Sequence, residues 1–450
     1  MPAIIDNRLS HIFPIIIISM TERTIGNKNL QKGGGSMKLT QKQQQILDGS
    51  AGEGKKIAMR IVVQMGHLYG AKQLLPIHSA HIDGCCYTTI WDAGLDLVEY
   101  LVKIGTTVAV PATTNITARD TKSWQLLKTP AGFSDKSRRI EEAFIKLGCI
   151  PTWSCAPYQC SNTPHFGEHI AWSESNAVNY INSVVGARTN RYPDLVDLCC
   201  AITGYVPEFG LHLTENRAAQ YLYRLEGFSS DAFHDSSEYA LLGYLIGKTC
   251  GSKIPVIEGL PRHTTHDNLK ALSAASAAGG SVGLFHAVGI TPEAPSLEAA
   301  LQGAEPEITN IVRPEDIVSA RRELTNAVNE HVDLVLVGCP HASYTEMQHI
   351  LELMNGKAVK EGTLFWLQTG QAEKDLARRS GLLKTLEDLG IFIMQDSCIN
   401  NFPMKNQGFR TIVTNSGKMA HYAPGTTGAA VVFADLAKCI QAATEGSVEL

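Results

Sequence analysis

The chain has 450 residues, of which 44% are hydrophobic and 18% charged, and its formal net charge is −5. That length exceeds what one hydrophobic core usually supports, so more than one domain is expected. The acidic balance argues against a nucleic-acid partner, and no apolar run approaches the ~20 residues that a membrane span needs.

Residues 1–36 read differently from the rest. Ile12–Met20 is apolar but short, its upstream flank mixes Asp6 with Arg8, and Gly33-Gly34-Gly35 comes just before Met37. No clear small-residue cleavage site follows, so the expectation is a disordered extension, with folding from about Met37. Eleven cysteines and no CxxC pair suggest reduced thiols and metal ligands in a cytoplasmic protein, not a disulfide framework.

From Lys38 onward helical and strand patterns alternate. Ile57, Ile61 and Val62 are spaced for a helix, Leu74–Ile77 is a short apolar run, and Tyr87–Val102 carries Ile90, Leu95, Val98 and Leu101 on one side. Thr107–Pro111 predicts a strand ended by proline, Ser137–Leu147 a helix and Ile150–Trp153 a strand. Lys253–Ile257, Ser281–Leu284 and Ile308–Val312 are further strand candidates. Pro314, with Glu315 and Asp316 behind it, starts a helix expected to run to about Asn329. Val332–Val337, Gly362–Leu367, Gly390–Met394, Thr411–Thr414 and Ala430–Phe433 predict strands, with helices at Thr345–Met354 and from Asp435 to about Thr444. Such alternation implies βαβ units and parallel sheets in an α/β protein. The Pro/Glu-rich stretch Thr291–Glu298 places a boundary near residue 300, dividing the folded part into 37–300 and 301–450.

Ser154–Arg188 stands out because it packs His165, Glu168, His169, Glu174 and Arg188 into a passage with few aliphatic side chains before Ala171. Buried polar groups must be paired or bind something, so this stretch is expected to wall an active site. Three cysteines also fall just after predicted strands: Cys155 after Ile150–Trp153, Cys339 after Val332–Val337 and Cys398 after Gly390–Met394. Ligands of open parallel sheets bind at the carboxyl ends of strands, so these thiols can converge as metal ligands, with Cys160 a weaker fourth candidate. Cys199, Cys200, Cys250 and Cys439 lie in or near helical patterns and suit small buried hydrophobes. Three thiolates leave a coordination site open for a substrate hydroxyl or carboxylate.

Longer blocks carry a resemblance. His78-Ser79-Ala80-His81, Phe166 to Ser175 (FGEHIAWSES), Gly186 to Asn190 (GARTN), Glu208 to Leu213 (EFGLHL), Gly338-Cys339-Pro340-His341 and Thr414 to Gly425 (TNSGKMAHYAPG) resemble the large subunit of the aconitase X family, from about Met37 to about Ala443. The resemblance implies an aconitase-like α/β fold around a central cleft and a hydro-lyase with an iron–sulfur cluster (two- or four-iron) or a single iron. The ligands it implies are Cys155, Cys339 and Cys398. It also implies a small swivelling-domain subunit as partner, expected as a separate chain because little follows the Lys418–Gly425 motif.

Two family activities are dehydration of cis-3-hydroxy-L-proline to Δ1-pyrroline-2-carboxylate and dehydration of (R)-5-phosphomevalonate. By position, substrate contacts would come from Gly84, Cys85, Cys86, Asn115, Ile116, Glu174, Ser175 and Lys418. The phosphomevalonate pattern has Gly-Val-Ser where this chain has Gly84-Cys85-Cys86, and Asn-Pro where it has Asn115-Ile116, which favours hydroxyproline. Ser79, His81, Glu174 and Lys418 are the candidate catalytic residues. His81 titrates nearest neutral pH, and Lys418 can pair a substrate carboxylate. The competing readings are a cysteine or zinc hydrolase using Cys339 and His341, and a binding subunit without a cluster. His263 and His266 read as a polar loop.

Overall fold

A computed structural model describes residues 37–449 apart from 160, 329 and 330. The expected N-terminal extension, the Cys160 candidate and the projected helix end at Asn329 lie outside the described residues.

Among the described residues the strands form four sheets. The largest has five parallel strands, ordered Ile391–Gln395, Leu364–Thr369, Leu334–Val337, Thr411–Thr414, Ala430–Phe433. Leu334, Val335, Leu336 and Val337 are all buried, as a central parallel strand covered on both faces by helices requires. A four-stranded parallel sheet follows the order His286–Ala287, Pro255–Glu258, Tyr221–Leu225, Ile308–Val312. A three-stranded parallel sheet centres on Ala80–Ile82, flanked by Ala112–Thr114 and Ala171–Trp172. Leu74–Pro76 pairs antiparallel with Tyr205–Pro207.

The sheet boundaries correct several expectations. Residue 300 does not divide the chain: Ile308–Val312 pairs in parallel with Tyr221–Leu225 and so closes the middle sheet. The strand expected at Thr107–Pro111 starts only after the proline, at Ala112–Thr114, because Val108 and Ala109 donate their N–H groups to the Leu147 and Ala201 carbonyls instead. Ile150–Trp153 is reduced to a single parallel bridge between Ile150 and Thr113, and Trp153 turns into positive φ at 43°. Ser281–Leu284 is not a strand, since Ser281 adopts φ 66° as the left-handed end of helix His266–Gly280. The helix begun at Pro314 stops at Glu323.

The segment after strand Ala112–Thr114 is stitched to the end of the largest sheet's edge strand. Thr117 donates its N–H to the Asp396 carbonyl at 2.8 Å, and Gln395 donates its N–H to the Asp120 carboxylate at 2.9 Å. These bonds set the end of strand Ile391–Gln395 against the end of strand Ala112–Thr114. Helix Gly417–Thr427 packs against helices Ser236–Cys250 and His266–Gly280, where a Cβ on Gly417 would lie 3.0 Å from the Ala275 side chain. No helix among the described residues is long and apolar enough to cross a membrane.

Candidate active site

The predicted cysteines are brought to one place. Cys339 lies two residues past strand Leu334–Val337, and Cys398 three past Ile391–Gln395. The chain turns sharply before each, through Gly338 at φ 89° and Asp396 at φ 65°. The Cys339 and Cys398 thiols hydrogen-bond to each other, which pulls Cys398 down to about 7 while the same bond and burial hold Cys339 well above its usual range. Cys155 interacts electrostatically with both thiols and is pushed up to about 12 by burial. Its Sγ accepts the His341 N–H at 3.3 Å. Among the described residues, no three His, Cys, Asp or Glu side chains close around a single point at ion-binding distance. Cys199, Cys200, Cys250 and Cys439 are free, buried and helical, as expected.

Above the thiols sits an ion pair. Glu174 caps helix Ser175–Tyr180, its Oε2 accepting the Ala177 N–H at 2.7 Å. Asn176 also donates its amide to Glu174 and bonds the Cys155 carbonyl at 3.0 Å, which ties the cap to the first cysteine. Lys418 opens helix Gly417–Thr427 behind the Ser416 cap and donates to Glu174 Oε1 at 2.6 Å and to Ser175 Oγ at 3.3 Å. Burial alone would lower the Lys418 ammonium, but Glu174 and the three thiols outweigh it and hold the group charged.

His81 lies on the central strand of the three-stranded sheet, fully buried, 5.3 Å from Trp172 between ring centroids. Its Nδ1 is 2.8 Å from Thr113 Oγ1, and its Nε2 has no hydrogen-bond partner. Burial lowers it to about 4, against the opposing pull of Glu174, so the imidazole is neutral at physiological pH. Ser79 precedes this strand, at the end opposite Asp83, and donates to Asn162 at 3.3 Å. Lys418 bonds Glu174 directly, Glu174 acts on His81, and Ser79 reaches His81 through Asn162, whose amide donates to Thr113 Oγ1 at 3.1 Å.

The Gly84-Cys85-Cys86 stretch leads into helix Tyr87–Lys103, whose start has no side-chain cap. The Cys85 thiol is spent on the Ile82 carbonyl at 3.2 Å, the Cys86 thiol pairs with the Thr88 hydroxyl at 2.9 Å, and Ile116 packs into the core at 2% exposure. Asn115 donates its amide to Asp83 and leaves its buried Oδ1 without a partner.

Asp83, Asp194 and Asp197 were not singled out from the sequence, and only the strand-end position of Asp83 could have flagged one of them. All three carboxyls are pushed up, chiefly by burial. Asp83 rises well above its usual range with help from Asp194 and Glu174, and Asp197 reaches about 7. His341 also has a different role from the nucleophile–base pairing with Cys339. Its Nε2 donates to the Ser397 carbonyl at 3.0 Å and its Nδ1 faces Ser154 Oγ at 3.4 Å, so both ring nitrogens are engaged away from a hydrolase dyad.

Comparisons with known proteins identify the family. Residues 36–215, 219–322 and 332–445 match the first, second and third domains of aconitase X. The chain is 41% identical to the cis-3-hydroxy-L-proline dehydratase of Pseudomonas aeruginosa, over 90% of its own length and 69% of that protein's. It is 38% identical to the phosphomevalonate dehydratase large subunit of Methanocaldococcus jannaschii, over 90% of its own length and 100% of the relative's. The crystal structure of holo aconitase X from Thermococcus kodakaraensis superposes with a TM-score of 0.81 at 35% identity, covering 90% of this chain and 100% of that one. With all three domains matched in order and a solved relative aligned end to end, the chain belongs to the aconitase X family.

Proposed function

We propose that the chain is the large, catalytic part of a hydro-lyase that removes water from cis-3-hydroxy-L-proline at an iron–sulfur centre, giving Δ1-pyrroline-2-carboxylate. Relatives named as dehydratases support the reaction class. The substrate is supported by the 41% identity to the P. aeruginosa cis-3-hydroxy-L-proline dehydratase, against 38% to the M. jannaschii phosphomevalonate dehydratase large subunit, and by Gly84-Cys85-Cys86 and Asn115-Ile116 standing where the phosphomevalonate pattern has Gly-Val-Ser and Asn-Pro.

Cys155, Cys339 and Cys398 would hold the centre. The donor set fits an iron–sulfur cluster or a single iron: three thiols act on one another and on Lys418. Such a centre, with a position left open, supplies Lewis acidity toward a substrate hydroxyl or carboxylate. The protein's own groups do the rest. Lys418, held charged, attracts the substrate's anionic end. Asp83, whose carboxyl is pushed well above its usual range by burial, can donate to the departing hydroxyl, and the neutral His81 ring stands in a hydrogen-bonded wall beside Glu174. A small swivelling subunit completes the site in this reading, in keeping with the name of the M. jannaschii relative.

The test is anaerobic purification with the small subunit and assay of water loss from both substrates. Turnover of cis-3-hydroxy-L-proline, with none of (R)-5-phosphomevalonate, is the expected result. The reverse preference would contradict the substrate assignment while leaving the reaction class intact.

A further inference from the structure

His341 touches the surroundings of all three cysteines. Its backbone N–H donates to Cys155 Sγ at 3.3 Å. Its Nδ1 faces the hydroxyl of Ser154, the residue before Cys155, at 3.4 Å. Its Nε2 donates to the carbonyl of Ser397, the residue before Cys398, at 3.0 Å. Through its own backbone it is also two residues from Cys339. The side chain is 1% exposed, and its carbonyl is held from the other side by Lys270, whose ammonium donates to it at 3.2 Å. Lys270 is in turn clamped by Asp267 and Glu346, so the His341 loop is anchored to helices His266–Gly280 and Tyr344–Met354.

We infer that His341 is a positioning residue that locks the three cysteine loops in mutual register, so that the chain presents a preformed three-thiol cradle. The inference rests on the proposed iron–sulfur reading for its purpose but on the hydrogen bonds alone for its geometry. Those bonds join positions 186 and 56 residues apart, which no local turn would hold together. A preformed cradle avoids the ordering cost that three independent loops would incur on binding. Removing the ring deletes two of the cross-links and leaves the buried Ser397 carbonyl unpaired.

The test uses the full chain in its cluster-free form, as wild type, His341→Ala and His341→Gln. A glutamine amide can reproduce the Nε2 donor to Ser397 but not the contact with Ser154. Alkylation of each cysteine by iodoacetamide is followed by peptide mass mapping, with the fully buried Cys200 and Cys439 as internal controls. In His341→Ala, Cys155, Cys339 and Cys398 should become at least tenfold more reactive, with both controls unchanged. In His341→Gln, Cys398 should stay close to wild type while Cys155 accelerates. If the three rates stay at wild-type values in a folded variant, the inference is overturned. If all cysteines accelerate together in His341→Ala, that variant is unfolded, and the split between Cys155 and Cys398 in His341→Gln decides. Reconstitution with iron and sulfide, read by visible absorption, forms the second arm. Failure of the wild type to take up a cluster would sink the iron–sulfur reading while leaving the alkylation result to judge His341.

Discussion

Lys418 and Glu174 are 244 positions apart and meet at 2.6 Å, with the lysine side chain 13% and the glutamate side chain 6% exposed. Each stands at the start of a helix, and the pair sits against the thiols of all three cysteines. A buried pair of this kind is costly to break from one side, because the survivor is left as an uncompensated charge. Lys418→Met should therefore lose about 3–5 kcal/mol of stability as well as turnover. The double variant Glu174→Gln, Lys418→Met should regain most of that stability and none of the activity. Urea unfolding of the single and double variants, run beside the dehydration assay, separates the two roles. Recovery of activity in the double variant would remove Lys418 from the substrate site.

Asp197 gives the fold a pH dependence of known sign. Burial raises its carboxyl to about 7 in the native state, with a smaller push from Asp194, while the unfolded chain returns it to the ordinary value near 4. Between those limits the native state binds the extra proton, so stability falls as pH rises through the interval and the full cost is present above about 7. Asp197→Asn removes that cost. Its stability relative to wild type should improve by about 3 kcal/mol between pH 5 and pH 8, through 1.36 kcal/mol per unit. Paired unfolding curves at the two pH values check it. A difference that does not change with pH would show that Asp197 ionises normally.

Gly338 ties backbone geometry to the cysteine that follows it. Its φ is 89°, and an added Cβ would collide with the Gln368 carbonyl oxygen on the neighbouring strand. The same glutamine accepts the Ile399 N–H at 2.8 Å just past Cys398, so a shift there disturbs both loops. Gly338→Ala should cost at least about 2 kcal/mol from strain and displacement and lower iron uptake more than tenfold. Iron analysis after anaerobic reconstitution, with circular dichroism to confirm folding, reads the outcome.

How much of this the sequence discloses follows from where each residue's partners lie. Leu334–Val337 and Ile391–Gln395 are continuous apolar runs because both of their faces are covered, and such runs are visible locally. The strands beside His81 are different. Ala112–Thr114 is short and polar because Thr113 serves His81, while Thr114 bonds the backbone around Thr152 and Trp153. The apolar Thr107–Pro111 next to it attracted the assignment instead. Cys339 and Cys398 could be found from strand ends. Cys155 reached the same cluster although its strand is one bridge long. Asp197, the buried Lys270 and the ring of His341 left no local signal, since each is defined by groups that the fold brings from far along the chain.

The central claim is a dehydration carried by three cysteines, one lysine and one glutamate gathered from distant segments. The most direct measurement is turnover of cis-3-hydroxy-L-proline by the anaerobically reconstituted chain with its small subunit, with the visible spectrum recorded for wild type, Cys155→Ala, Cys339→Ala and Cys398→Ala. A coloured, active wild type is expected, with three folded variants that lose at least about 10³-fold in rate together with the visible band, as loss of a Lewis-acid centre requires. A colourless wild type that still dehydrates hydroxyproline, or cysteine variants that keep full activity, would contradict the central claim.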